Sequence, residues 1–147
     1  MKKSILQNFL CFVAALALLS ACSLSKKGGA EKADGQTLFN KEWRLVKMGA
    51  KSMKYEQGCE PISLLLTSEP ENVSGFSGCN RYFGKFATKK DKLSFKQMAC
   101  TQMACPQQDM NLESRYFQLL DKVNSFVVQD DTLTLLKDDK VLLVFER

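Results

Sequence analysis

Gly75-Phe76-Ser77-Gly78-Cys79-Asn80-Arg81-Tyr82-Phe83-Gly84-Lys85-Phe86 sets three glycines, a cysteine and an asparagine around the start of an alternating run. Tyr82 and Phe86 fall on one side of an extended chain with Gly84 between them, while Arg81 and Lys85 point to the other. That is the period of a half-buried strand. Gly75, Gly78 and Gly84 suit tight turns, a bulge or close backbone approach. Asn80 tolerates a left-handed turn and bonds neighbouring backbone. The glycines match neither the dinucleotide fingerprint nor a Walker loop, and no helix follows, which excludes a phosphate cradle.

The alternation recurs outward in both directions. Trp43 and Leu45 flank Arg44, and Ile62, Leu64 and Leu66 alternate with Ser63 and Thr67. Leu93 and Phe95, Phe126 and Val128, Leu133 and Leu135, and Val141, Leu143 and Phe145 repeat it. Leu136, Leu142 and Val144 add apolar positions on the second face, so part of the last hairpin is expected to be covered on both sides. Lys89-Lys90-Asp91, Asp130-Asp131 and Lys137-Asp138-Asp139-Lys140 read as solvated hairpin tips. About eight short strands at this spacing predict a mainly β fold, a small antiparallel β-barrel.

One segment breaks the period. From Gln107 to Val123 the apolar residues Met110, Tyr116, Phe117, Leu119, Leu120 and Val123 fall at helical spacing. Pro106 suits the first turn. This single α-helix is expected to bury its stripe against the sheet or to plug one end of the barrel.

The N-terminus reads as an address. Lys2 and Lys3 precede an apolar run from Phe9 to Leu19. Those residues span roughly 16 Å as a helix, about half a bilayer core, which suits a secretory signal and not a membrane anchor. Leu19-Ser20-Ala21-Cys22 resembles the bacterial lipobox, where cleavage precedes a cysteine whose thiol takes a diacylglycerol. Residues 1–21 are therefore expected to be a lipoprotein signal peptide and Cys22 the lipidated residue, giving the membrane as a partner. Ser23, in place of Asp, points to the outer membrane, with the domain facing the periplasm. Residues 22–36, rich in Ser, Lys and Gly, read as a flexible tether. Residues 37–147 form one domain.

The chain of 147 residues has no His, which removes Ser-His-Asp triads, Cys-His dyads and His-zinc sites. Removing residues 1–21 takes two Lys from a formal +5 and leaves +3, too weak a charge to argue for a polyanion. Arg81 to Phe86 has the look of an RNA-binding aromatic strand, but an exported lipoprotein does not meet RNA, so no nucleic acid is expected. With Cys11 in the signal and Cys22 lipidated, Cys59, Cys79, Cys100 and Cys105 remain. Their spacing suits neither a zinc site nor a C-x-x-C redox pair, and an exported domain of this size reads as holding two disulfides, with three pairings open. Met48, Met53, Met98, Met103 and Met110 are scattered and read as core or rim filling rather than as a copper or chaperone surface. No cofactor or metal is expected.

Two elements, G-x-x-G-C-N-x-x-x-G-x-F over Gly75, Gly78, Cys79, Asn80, Gly84 and Phe86, and T-x-M-A-C-P from Thr101 through Cys105 to Pro106, stand in a distinctive order. With Glu113 and Phe117 downstream, and Leu38 and Trp43 upstream in an L-x-x-x-x-W-x-L opening, the domain resembles the META domain. That family includes the HslJ-like heat-shock lipoproteins. The resemblance implies a small β-rich barrel with one helix. It also implies an envelope protein tied to stress, drug tolerance or virulence, with no established enzymatic chemistry. Because Cys79 and Cys105 both lie in family motifs, it implies a Cys79–Cys105 bridge and leaves Cys59 with Cys100.

The function expected is that of a non-catalytic, lipid-anchored envelope protein, a protein-interaction or stress-protection module with an unidentified envelope partner. The alternative is a lipocalin-like binder of a small amphiphile in the barrel interior or the helix–sheet groove, lined by Trp43, Phe86, Phe95 and Phe126.

Overall fold

The computed structural model describes residues 38–147; the signal segment, Cys22 and the tether lie outside the described residues. β1 (Glu42–Met48) carries a two-residue partner, β2 (Lys51–Ser52), at its end. β3 (Ser63–Thr67), β4 (Asn72–Phe76), β5 (Arg81–Lys89) and β6 (Lys92–Cys100) follow as an antiparallel meander. Helix α1 (Gln107–Leu120) leads into a second meander, β7 (Ser125–Gln129), β8 (Thr132–Lys137) and β9 (Lys140–Glu146). β1 lies between β3 and β9 and so joins the two meanders into one sheet, ordered β6-β5-β4-β3-β1-β9-β8-β7.

The alternating apolar positions bury as their period requires, from Trp43 and Leu45 through Tyr82 and Phe86 to Leu143 and Phe145. Trp43 also donates its indole N–H to the Leu38 carbonyl at 3.0 Å, so the L-x-x-x-x-W spacing closes the N-terminal end of the core. Val141 is the exception at 40% exposed. The register shifts between Leu135 and Leu136, which pair with Leu143 and Val141. The extra residue turns both Leu142 and Leu143 inward and Val141 outward. The three charged clusters are two-residue turns, with positive φ at Lys90, Asp130 and Asp138.

Three expectations are corrected. Among the described residues the sheet has nine strands and does not close into a barrel. Its ends, β6 and β7, approach at one end, where Phe126 N donates to the Asp91 carbonyl (3.0 Å) and Leu93 N to the Asn124 carbonyl (3.3 Å), without forming a ladder. Further along β6, Phe117 and Leu120 of α1 face Phe95, Met98 and Cys100, so helix side chains occupy the flank where a ladder would continue. The helix also stops at Leu120, short of Val123: Lys122 and Val123 donate to Leu119 and Leu120 in a tightened last turn, and Asn124 N then turns to the Leu136 carbonyl to start β7. Finally, Met110 lies on the exposed side of the helix; Tyr116 and Leu120 are its buried residues.

Candidate functional site

The motif residues meet where the β4–β5 turn faces α1. Gly78 holds φ at +102°, a conformation that a side chain would strain. The turn it allows places Asn80 back over Ser77, whose N–H donates to the Asn80 carbonyl at 2.9 Å. Asn80 is buried, and its amide is used at both ends. Oδ1 accepts from Thr101 Oγ1 and from the Met103 N–H, both at 2.8 Å. Nδ2 donates to Glu113 Oε1 at 2.9 Å, and the Asn80 backbone N–H donates to Glu113 Oε2 at 3.0 Å. The Ser77 hydroxyl lies between the Asn80 carbonyl (2.7 Å) and Glu113 Oε2, and its one proton serves one of them. Beside this network, Cys79 and Cys105 form a disulfide, their Cα atoms 6.0 Å apart.

One turn, one linker and one helix are thus tied at a single asparagine. Among the described residues no buried side-chain nitrogen or oxygen lacks a partner, so these groups are engaged with one another.

Below the network the remaining glycines serve packing. A Cβ on Gly75 would fall 2.1 Å from the Ser63 carbonyl and 2.8 Å from the Tyr82 hydroxyl. The approach is close because Tyr82 donates to the Ser63 carbonyl at 2.8 Å. With that proton spent, the Tyr82 oxygen accepts from Tyr116, also at 2.8 Å. Gly84 stands at the β5–β6 bulge.

Desolvation, with the neighbouring Tyr116 adding to it, holds the buried Tyr82 phenol well above its ordinary range; desolvation raises Tyr116 likewise. Because both folded-state values exceed the unfolded value near 10, the linked stability is fully present below about pH 10 and is lost as pH rises through the folded range. Stability is expected to fall by about 1.4 kcal/mol per pH unit for each tyrosine above pH 10. Urea unfolding at pH 9 and 11 reads this, and Tyr116→Phe should remove one tyrosine's share of the slope relative to the wild type.

The second expected bridge does not form: Cys59 and Cys100 are free and exposed. Cys100 pairs across the ladder with Tyr82 and so shares its side of the sheet, facing α1. Cys59 adjoins Glu60, which pairs with Arg81 on the opposite side. Partial burial, then the Glu113 carboxylate, pushes the Cys100 thiol up.

The role of the Ser77 hydroxyl, the Tyr82–Tyr116 hydrogen bond and the partnership of Glu113 with Asn80 escape a reading of the sequence. The available signal is the position of Glu113 one helical turn before the buried Tyr116, an acid at the border of an apolar stripe.

A family model, the META domain, matches residues 36–147, and the chain belongs to that family. Its fold is similar to a protein from Burkholderia xenovorans solved by NMR, at 33% identity and a TM-score of 0.64, over 80% of this chain and 88% of that one. A second NMR structure, 22% identical, matches with a TM-score of 0.60 over 77% of this chain and 93% of that one, a likeness of fold alone. No curated protein matches the chain.

Proposed function

We propose that this is a non-catalytic lipoprotein of the bacterial envelope, held on the outer membrane through lipid on Cys22. Its META domain acts from the periplasmic side by binding another envelope protein, in assembly or stress protection. The observation that carries the reading is a surface one. On the outward side of β4 and β5, Phe83 is 59% exposed. Next to it on the same side, Arg81 lies over the Phe76 ring, 5.3 Å from its centroid, and pairs with Glu60 at 2.7 Å. An exposed Phe next to a pre-positioned Arg is the composition of a protein-binding hot spot. The buried motif, with its polar groups engaged internally, has the character of a support for the fold.

Phe83→Glu is expected to leave stability within about 0.5 kcal/mol, because the side chain is already in water. It should abolish the envelope cross-link formed by a photoreactive residue placed at Lys85. An unchanged cross-link would overturn the reading. For the anchor, Cys22→Ser should lose labelling by a clickable fatty acid, and a variant that still carries label would refute lipidation at Cys22.

The amphiphile reading narrows to one place. Trp43, Phe86 and Phe126 are packed in the core, whereas Phe95, Met98, Phe117 and Leu120 line a groove of about 270 Å³ between β6 and α1. That volume suits a short acyl chain. Displacement of a fluorescent fatty acid, lost in Cys100→Trp, whose side chain lies on the groove side of β6, would favour this reading over the first.

A further inference from the structure

Three sulfur-bearing residues that the fold leaves unused line one open depression. Met48 is buried in the core and Met53 and Met98 pack against it, as expected of core filling. Met103 and Met110 lie outside the core, 62% and 36% exposed. Cys100 is a free, exposed thiol. All three line a single open depression, together with Asn80, Thr101 and Glu113.

They arrive from three segments: Cys100 from the end of β6, Met103 from the linker, and Met110 from the first turn of α1. Each segment is fixed to the β4–β5 turn. Thr101, next to Cys100, and the Met103 N–H both bond Asn80 Oδ1. The helix is held at its start by the Cys79–Cys105 bridge and at Glu113 by Asn80. The backbone that carries the sulfurs is therefore positioned before any ligand arrives, which is what a binding site requires.

The chemistry of the set is selective. A thiolate with thioethers prefers a soft cation, above all Cu(I). The chain has no His, and among the described residues no three His, Cys, Asp or Glu side chains gather, so zinc and hard cations find no comparable set. We propose that Cys100, Met103 and Met110 form a surface site for one Cu(I) ion. The cation binds as Cu(I) and no electron is transferred; Cys100 releases its proton to water as the metal–sulfur bond forms.

The test uses the full-length protein, extracted in detergent and labelled with 13C at the methionine methyls. It is titrated with Ag(I), a redox-inert stand-in for Cu(I), in chloride-free buffer. The Met103 and Met110 methyl signals, assigned by Met103→Leu and Met110→Leu, should shift together and saturate at one equivalent, with Met48 unmoved. Reading methyl shifts keeps the site distinct from Cys59 or any other thiol. Loss of outer-shell partners typically weakens metal binding about 10–100-fold, so removing a ligand by Cys100→Ala, Met103→Leu or Met110→Leu should weaken the transition at least tenfold. Leucine preserves the apolar surface and the exposed position, so the loss reports the sulfur and not the fold or a hydrophobic contact. Methyl signals that stay still, that shift for all methionines alike, or that shift with unchanged affinity in Cys100→Ala would overturn the site.

Discussion

Glu113→Ala is expected to destabilise the domain by about 3 kcal/mol, a large share of the 5–15 kcal/mol typical of a domain. The carboxylate accepts from the Asn80 backbone N–H and from Asn80 Nδ2, and Asn80 is buried. Alanine strips the Asn80 backbone N–H of its partner and leaves Nδ2 only the weak Cys79 Sγ acceptor at 3.3 Å, and each unsatisfied buried donor costs about 1–3 kcal/mol. The Ser77 hydroxyl escapes this penalty, because it can turn wholly to the Asn80 carbonyl. Glu113→Gln should cost about half as much, since its oxygen still serves one donor while its NH2 opposes the other. Urea unfolding of both variants gives the order wild type, Gln, Ala. Asn80→Ala should match or exceed the alanine variant: its backbone N–H keeps Glu113, but Glu113 Oε1, the Thr101 hydroxyl and the Met103 N–H all lose their partner. Full stability in Glu113→Ala would mean that the network does not hold the helix to the turn, and the motif would then have to be read as a binding site.

Removing the disulfide is expected to cost about 3.5 kcal/mol on the chain-entropy model for a loop of this length. Cys79 and Cys105 are 26 residues apart, and the loop they close contains β5 and β6. Adding a reductant to the wild type and replacing both cysteines by Ser should lower the urea midpoint to a similar extent, with the slope affected only through the denatured state. An unchanged midpoint under reduction would refute the role assigned to the bridge. Because the bridge and the Asn80–Glu113 contact hold the same helix to the same turn, their removals should not add. The first leaves the helix start freer, so the second then releases less. A double-mutant cycle measures this coupling.

The parts of the protein legible in the sequence are those with a local cause. Trp43 with Leu45, Tyr82 with Phe86 and Leu143 with Phe145 bury together because successive side chains of a strand leave on opposite sides, whatever lies beyond. The turns at Lys90, Asp130 and Asp138 were legible as polar punctuation. β4 was not, because Asn72 to Phe76 buries only Val73 and owes its existence to β3 and β5 on either side. Half of the site was readable. Gly78, Cys79, Asn80, Thr101 and Cys105 stood out by family resemblance, but nothing in their spacing named Ser77 or paired Glu113 with Asn80 across 33 residues.

The sequence by itself determined a mainly β domain with one helix, the inward side of nearly every strand, and a chain without imidazole chemistry. Each follows from composition or from the two- or 3.6-residue period of a backbone that needs no distant partner to express it. The tertiary structure alone decided that the sheet stays open beside α1, that Cys59 and Cys100 stay unpaired, and that Cys100, Met103 and Met110 share one depression. Those outcomes depend on how separate segments meet. A bulge at Gly84, an extra residue in β9 and one buried asparagine set that meeting, through contacts between residues far apart in the chain.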